Sequence, residues 1–461
     1  MEVRREVEIE GVDSAFRGYF EDEDKRVLVP GATPGDILDV AYVHHSRQHP
    51  VIFGEIRKVH LRGPHFQNPP CIHAAPVRGR CGGCPGMHLS DELRQEIQRE
   101  AVEEELSSLG VSAVWEKSPE MLGYRNRSNF VVARKEGDLI LGSYAPRSND
   151  VVSMEDCLIV EPVIASLQKE ILVLLSAQED LSVGLEEEGL RWISLRGSGE
   201  KVVVELIAAN LEAPYLGELA SGIAALPAVV GVTVTRNDER SNSLRNEETK
   251  VLHGEGTLEL QYGPLSLAIP AGAFAQLNQK VAAMIYDQAA SWAESPQVVW
   301  DLYCGVGALG LRLLKTGNAQ EESTQEEETS GKLLGLESVP SAVEGARKNA
   351  AAHNLAGAHF EVIDLQNRAK LKELQIPEAF QNPDVIALNP PRKGISSPLR
   401  ERLTTDWMAS KLIYMSCNPS SFARDAATLI EGGWKLEKVQ AYDMLPMTTH
   451  VELLGLFTRP V

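Results

Sequence analysis

VVWDLYCGVGALGL, residues 298–311, opens as an apolar run, reaches an acid at Asp301, passes two glycines at Gly305 and Gly307, and resumes as an apolar helical pattern. Strand, glycine turn, helix is the opening unit of a parallel doubly wound sheet, whose ligands sit at the carboxyl ends of its strands. GxG alone is a weak signal, so the rhythm that follows decides. LLGLES (333–338), HFEVID (359–364), DVIALNP (384–390), KLIYMSC (411–417), WKLEKVQAYDM (434–444) and VELLGLFTR (451–459) are apolar runs separated by helical patterns. That alternation predicts an α/β unit of seven strands whose last two can form a hairpin. A ribose-binding carboxylate belongs about twenty residues past such a turn. Glu337 lies thirty residues past Gly307, and the excess is GNAQEESTQEEETSG (317–331), an acidic low-complexity stretch expected to be a disordered surface loop.

KLIYMSCNPSSFARD (411–425) carries Cys417 to the end of one of these strands, and Asn418-Pro419 forces a turn before the next helix. Most lone cysteines are small core residues. The company of this one argues otherwise, because DMLPMTTHVELLGLF (443–457) brings His450 and Glu452 into another apolar strand, where a carboxylate needs a partner or a task. A cysteine nucleophile, a carboxylate base and a nucleotide-like cofactor are the expectation.

A chain of 461 residues with 43% hydrophobic content is an ordinary globular protein of two to four domains. MEVRREVEIEG has charges where a signal peptide needs an apolar stretch, and no run of eighteen apolar residues occurs, so a soluble cytoplasmic protein without membrane contact is expected. Six cysteines in such a protein suit catalysis or metal binding better than disulfides. Cys71, Cys81 and Cys84 lie in a glycine- and proline-rich loop, with Cys157 far off; thiolates suit zinc or an iron–sulfur cluster, and three plus one favours the cluster. The formal charge of −20 argues against a protein that coats nucleic acid indiscriminately. Residues 40–90 nevertheless hold Arg47, Arg57, Lys58, Arg62, Arg78 and Arg80 against the single acid Glu55, which makes this stretch the expected phosphate contact.

Short strand patterns in the first sixty residues, with a Gly-Ala-Thr-Pro-Gly turn at 31–35, predict a small OB-type barrel over 1–62. An α+β middle domain is expected over 63–268, and the α/β domain over 269–461. In the middle domain Arg125, Arg127, Arg134, Lys135 and Arg147, with Tyr124, Phe130 and Tyr144, read either as an RNA-tracking surface or as a solvated sheet face.

Seven strands ending in a hairpin fit the class I, Rossmann-like methyltransferase sheet better than a dehydrogenase. With NPPRKG (389–394), SCNP and HVELLGLF also present, nearly the whole chain resembles the RNA uridine-C5 methyltransferases. Their DLFCG, second-strand glutamate, DPPR, SCNP and HxE appear here in order as DLYCG, GLESV, NPPRKG, SCNP and HVE, and AFAQLN is similar to their FFQxN segment. The resemblance implies S-adenosyl-L-methionine as methyl donor, Cys417 as nucleophile and Glu452 as base. It assigns Gln276, Tyr303, Gly305, Gly307, Glu337, Asp364 and Asn389 to the donor site. The first sixty residues resemble the TRAM domain, an RNA-binding barrel. Together with the four cysteines they are similar to the family's ribosomal RNA branch, which implies a [4Fe-4S] cluster on Cys71, Cys81, Cys84 and Cys157 and 23S ribosomal RNA as substrate. RNA as the partner, no DNA, and a monomer complete the expectation.

Three departures stand out. Asn389 replaces the family's acid before PPR, Ala308 replaces a frequent asparagine after GxG, and nine residues separate Cys71 from Cys81 where a shorter gap is usual. A transfer RNA uridine-C5 methyltransferase is one alternative, and an RNA-binding scaffold with a degenerate methyltransferase domain, which Asn389 and Ala308 encourage, is another. A radical methylthiotransferase would need a CxxxCxxC triad, which the sequence lacks.

Overall fold

The computed structural model describes residues 2–74, 80–146, 148–184, 189–238, 248–315 and 331–459. The acidic stretch expected as a loop lies, apart from Gly331, outside them, as do Arg78 and Arg147.

The C-terminal sheet has the order Ala358–Val362, Lys332–Glu337, Val298–Leu302, Val385–Leu388, Lys411–Ser416, Glu452–Thr458, Lys435–Tyr442, Ala113–Glu116. The first five are mutually parallel, and Glu452–Thr458 runs antiparallel to both of its neighbours. All seven expected strands are present. Their near-continuous apolar character has a simple cause: successive side chains point to opposite faces and both faces are covered. Val299, Leu333, Val385, Ile413 and Met415 pack with the helices Gln279–Ala293, Ala308–Leu314 and Pro340–Ala352. Their neighbours Trp300, Leu334, Ile386, Leu412 and Tyr414 pack with Ser397–Thr405 and Pro419–Glu431.

The eighth strand, Ala113–Glu116, comes from far upstream and pairs in parallel with Lys435–Tyr442. Helix Asp91–Leu106, capped by the Ser90 hydroxyl, delivers it and buries Val102 and Leu106 in the second of these cores. The hairpin Thr257–Tyr262/Leu265–Pro270 likewise packs its buried side chains into the first.

At the N-terminus, six strands order as Val3–Glu8, Ile37–His45, Val51–Leu61, Lys25–Pro30, Arg17–Asp22, Gly11–Val12. The two outermost are halves of one bent segment: Val3–Glu8 pairs with Ile37–His45 and Gly11–Val12 with Arg17–Asp22, which joins the edges into a small barrel around Phe20, Val27, Val29, Leu38 and Val40.

Between these units, a seven-stranded sheet from Arg127–Lys135 to Thr249–Gly254 is covered by helices Pro162–Ser176 and Leu216–Ala224. Here the structure corrects the surface reading. Tyr124 and Phe130 are buried and offer no stacking face, and Arg127 is half-buried, bonded to Ser194 and paired with Glu205 at 3.2 Å. No described helix is long and apolar enough to cross a membrane.

Candidate active site

The carboxyl ends of the central strands open into one cavity of about 560 Å³. Gln276, Tyr303, Gly305, Glu337, Asp364, Asn389, Cys417 and Glu452 all line it. Gly307 does not; it stands at the N-cap of Ala308–Leu314 with φ +86°. Tyr303, Gly305 and Gly307 are all left-handed, so the chain folds sharply back on itself above the sheet. A Cβ at Gly305 would meet nothing within 4 Å, so the space above the turn is open. Glu337 ends the next strand and is oriented by the backbone: one oxygen accepts the Gly305 N–H at 3.2 Å, the other the N–H groups of Ser338 and Val339.

The sequence reading undervalued two cavity residues. Asp301 is fully buried; one oxygen accepts the Gly310 N–H at 2.9 Å, the other has no partner among the described residues, and burial with the nearby Glu337 charge pushes the group up to about 7. A buried polar atom without a partner, on a residue that lines the cavity, is a place for a ligand's hydrogen bond. Arg392, next to the two prolines, contacts His450 at 3.3 Å, and its charge acts on Cys417. The Pro390–Gly394 loop that carries it is tied down: Asn418 donates to the Arg392 carbonyl, and the buried Asp425 accepts from Ile395 N–H, Tyr414 and Arg400. Arg392 stands inside the quoted NPPRKG stretch, but nothing local marks its task, because its partners lie in distant segments of the chain.

Cys417 follows Lys411–Ser416, and Asn418 caps the next helix through the Ser420 N–H with Pro419 in the first turn. Burial raises the thiol above its ordinary value; Glu452 raises it further and Arg392 opposes both. Glu452, fully buried at the start of its strand, is pushed up to about 8 by burial, again against Arg392. Burial, then the Arg392 charge, holds His450 low and favours a neutral ring. Arg392 therefore favours the anions of both Cys417 and Glu452, while the Glu452 charge opposes that of Cys417, a pattern suited to proton and nucleophile chemistry.

Cys71, Cys81, Cys84 and Cys157 are free thiols that fold into one neighbourhood, packed by Ala74, Met87, Ile159 and Met447. Burial raises Cys84 to about 12, and the other three thiols add to it. No described group of three or more His, Cys, Asp or Glu side chains stands in metal-ligating arrangement.

Fold and cavity together define an α/β transferase that holds a nucleoside-bearing cosubstrate beside a thiol and a carboxyl. Residues 95–459 match the family model for tRNA (uracil-5-)-methyltransferase, and the chain belongs to this family. An uncharacterised RNA methyltransferase of Halalkalibacterium halodurans is 30% identical over 462 residues, covering 97% of this chain and 95% of its own. Another from Listeria innocua is 30% identical over 450 residues, covering 94% and 92%. Among solved structures, Pyrococcus abyssi tRNA (uracil-54, C5)-methyltransferase in complex with S-adenosyl-L-homocysteine shares the fold, with a TM-score of 0.73 at 22% identity, covering 98% of this chain and all of that one. The chain is thus a member of the RNA uracil-5 methyltransferase family. The glycine turn, Glu337, Asp364 and the unpaired Asp301 oxygen fit an adenosine-bearing donor.

Proposed function

We propose that the protein methylates carbon 5 of an unpaired uridine in RNA through a covalent adduct between Cys417 and carbon 6, with Glu452 as the base. The observation that carries this reading is that Cys417 and Glu452 line one cavity and share Arg392 as neighbour. Uracil carbon 5 is a poor nucleophile. Addition of the Cys417 thiolate to carbon 6 moves the ring's electron pair toward carbon 5 and the neighbouring carbonyl, and carbon 5 becomes nucleophilic. S-adenosylmethionine, when bound, supplies the electrophilic methyl group. Glu452 then takes the carbon-5 proton, the electrons of that C–H bond restore the ring double bond, and the S–C6 bond breaks to return the thiolate. Arg392 favours both anions. In the donor site Glu337 and Asp364 would hold ribose hydroxyls, with Gln276, Tyr303 and Asn389 around them. Asn389 keeps an acceptor oxygen without the charge of the family's acid.

A paired uridine cannot enter such a cavity, so the target is single-stranded or flipped, at a cost of about a few kcal/mol. The division expected from the sequence, a barrel over 1–62, a middle unit over 63–268 and a catalytic unit over 269–461, gives RNA docking to the first two, with helix Asp91–Leu106, strand Ala113–Glu116 and the hairpin Thr257–Tyr262/Leu265–Pro270 packed into the catalytic unit. Barrel and four-thiol neighbourhood together favour 23S ribosomal RNA, and four free thiols are the ligand set a [4Fe-4S] cluster takes, although Cys71, Cys81, Cys84 and Cys157 do not stand in ligating arrangement among the described residues. Methyl transfer moves no electron, so the cluster's part is to shape the RNA-facing surface. Transfer RNA is the second reading, favoured by a likeness to the Pyrococcus enzyme that spans both chains.

Mass-spectrometric mapping of 5-methyluridine in ribosomal and transfer RNA from cells with and without the gene decides between them. Cys417→Ala should abolish methylation and leave no protein–RNA adduct. Glu452→Gln, unable to take the proton, should accumulate a methylated adduct on a denaturing gel; normal turnover by it would remove Glu452 from the base role. Anaerobically purified protein should contain about four irons per chain; stoichiometric zinc without iron would sink the cluster.

A further inference from the structure

The turn that leads into Glu452 is held from outside. Every backbone carbonyl from Met444 to Thr448 accepts a hydrogen bond, and four of the donors come from remote parts of the chain. Asn278 Nδ2 reaches Met444 O at 3.1 Å, Tyr124 OH reaches Pro446 O at 2.9 Å, the Gly86 N–H reaches Met447 O at 3.0 Å, and Gln98 Nε2 reaches Thr448 O at 3.1 Å. Leu445 O is engaged from within, by Thr448 N and Oγ1. One helical turn from Gln98, Arg94 pairs with Asp443 at 3.1 Å, both side chains wholly buried. Met447 is left-handed at φ +67°, a conformation that persists in a side-chain-bearing residue only where its surroundings over-determine it.

A turn that merely joins two strands lies at the surface and satisfies its carbonyls with water. This one is gripped by protein along its length and enters the site directly. Thr448 Oγ1 accepts the His450 N–H at 3.2 Å, and Met444, Leu445, His450 and Glu452 all line the cavity. A catalytic base must be held within about half an ångström of its working position.

We propose that Gln98 and Arg94, on helix Asp91–Leu106, are positioning residues for the base, setting where Glu452 stands by gripping the 443–448 turn. The inference rests on the reading of Glu452 as the base. Its signature is specific: displacement of the base slows loss of the carbon-5 proton and spares the steps before it.

The test uses the full-length protein, labelled RNA with an unpaired target uridine, and S-adenosylmethionine, comparing unmutated protein, Glu452→Gln and Gln98→Met, which keeps length and removes the donor. Under single turnover, Gln98→Met should transfer the methyl group at a near-normal rate. Its adduct should break down about ten- to a hundredfold more slowly than that of unmutated protein, the range of a small misplacement, with the KM for the methyl donor unchanged. A lowered melting temperature with adduct cleared at the normal rate would show a structural brace only and overturn the proposal. If Gln98→Met does not fold, Thr448→Val, which removes the hydroxyl linking Leu445 O to His450 N, carries the same expectation, and normal clearance by it overturns the proposal equally. A stalled Glu452→Gln beside a normally clearing Gln98→Met removes the positioning role alone and leaves the base assignment. Normal turnover by Glu452→Gln removes the base assignment and the brace with it.

Discussion

Cys417 and Glu452 set a pH problem that Arg392 moderates. The thiol must ionise to add, the carboxyl must ionise to take the carbon-5 proton, and burial raises both, Glu452 to about 8. Each group is in its working form only above its own value, so kcat/KM should rise with pH from 6 through about 8 instead of peaking near neutrality. Arg392 opposes the rise at both groups. Arg392→Gln should therefore move the rising limb to higher pH. An exposed cation contributes about 1 kcal/mol, so at pH 7 the loss in kcat/KM should be about fivefold. A limb that stays put while activity falls uniformly would mean that Arg392 binds substrate and leaves the two ionisations alone. His450, held neutral, should add no descending limb in this range.

At the scale of elements, caps and turns were readable because their chemistry is local. The Asn-Pro pair after Cys417 does cap its helix, and the glycine turn does fold back at the strand end. Asn278 does more than cap. Its oxygen accepts the Val281 N–H at the start of Gln279–Ala293, while its amide donates to Met444 O and Ser118 Oγ. Asn278→Ala should cost about 1 kcal/mol for the cap and about 1–3 more for a buried carbonyl left unpaired. Ser396→Ala, which removes the cap of Ser397–Thr405 and one bond to Leu365 O, should cost about half as much. Urea unfolding of both variants checks the ranking, and equal losses would show that the Met444 bond contributes nothing. The seven strands were legible because burial on both faces writes continuous apolar runs. Ala113–Glu116 was not, since a four-residue strand has no period to detect and its partner lies more than 300 residues away. Separation in the chain also hid the inward turn of Tyr124, whose partner Pro446 is as remote, and of Arg127, whose partner Glu205 lies 78 residues on. Arg392 sat in the aligned NPPRKG motif, but its place beside Cys417 and Glu452 was hidden likewise, because that neighbourhood forms only in the fold.

For the molecule as a whole, a formal charge of −20 works against RNA at every distance beyond contact, so docking needs a local surface of opposite sign. On the barrel, Arg5, Arg57, Lys58 and His60 gather around a groove with Glu6 and Asp39. Arg57 is also paired with Glu55 at 3.1 Å, and Lys58 is exposed. Each phosphate neutralised on a single strand releases about 0.7 counterion. If Arg57 and Lys58 each meet one phosphate, replacing both with alanine should lower the slope of log affinity against log salt by about 1.4. The folded barrel should lose little, because an exposed ion pair such as Arg57–Glu55 stabilises by about 0–1 kcal/mol. Donor affinity should be unchanged, since neither residue lines the cavity where Glu337 and Asp364 stand. The measurement is RNA binding across a salt series for the unmutated and doubly substituted proteins, with S-adenosylmethionine binding as the control. An unchanged slope would place the phosphate contacts elsewhere on the chain. A slope that falls while affinity at high salt stays equal would show that the barrel contributes charge alone, leaving base recognition to the cavity.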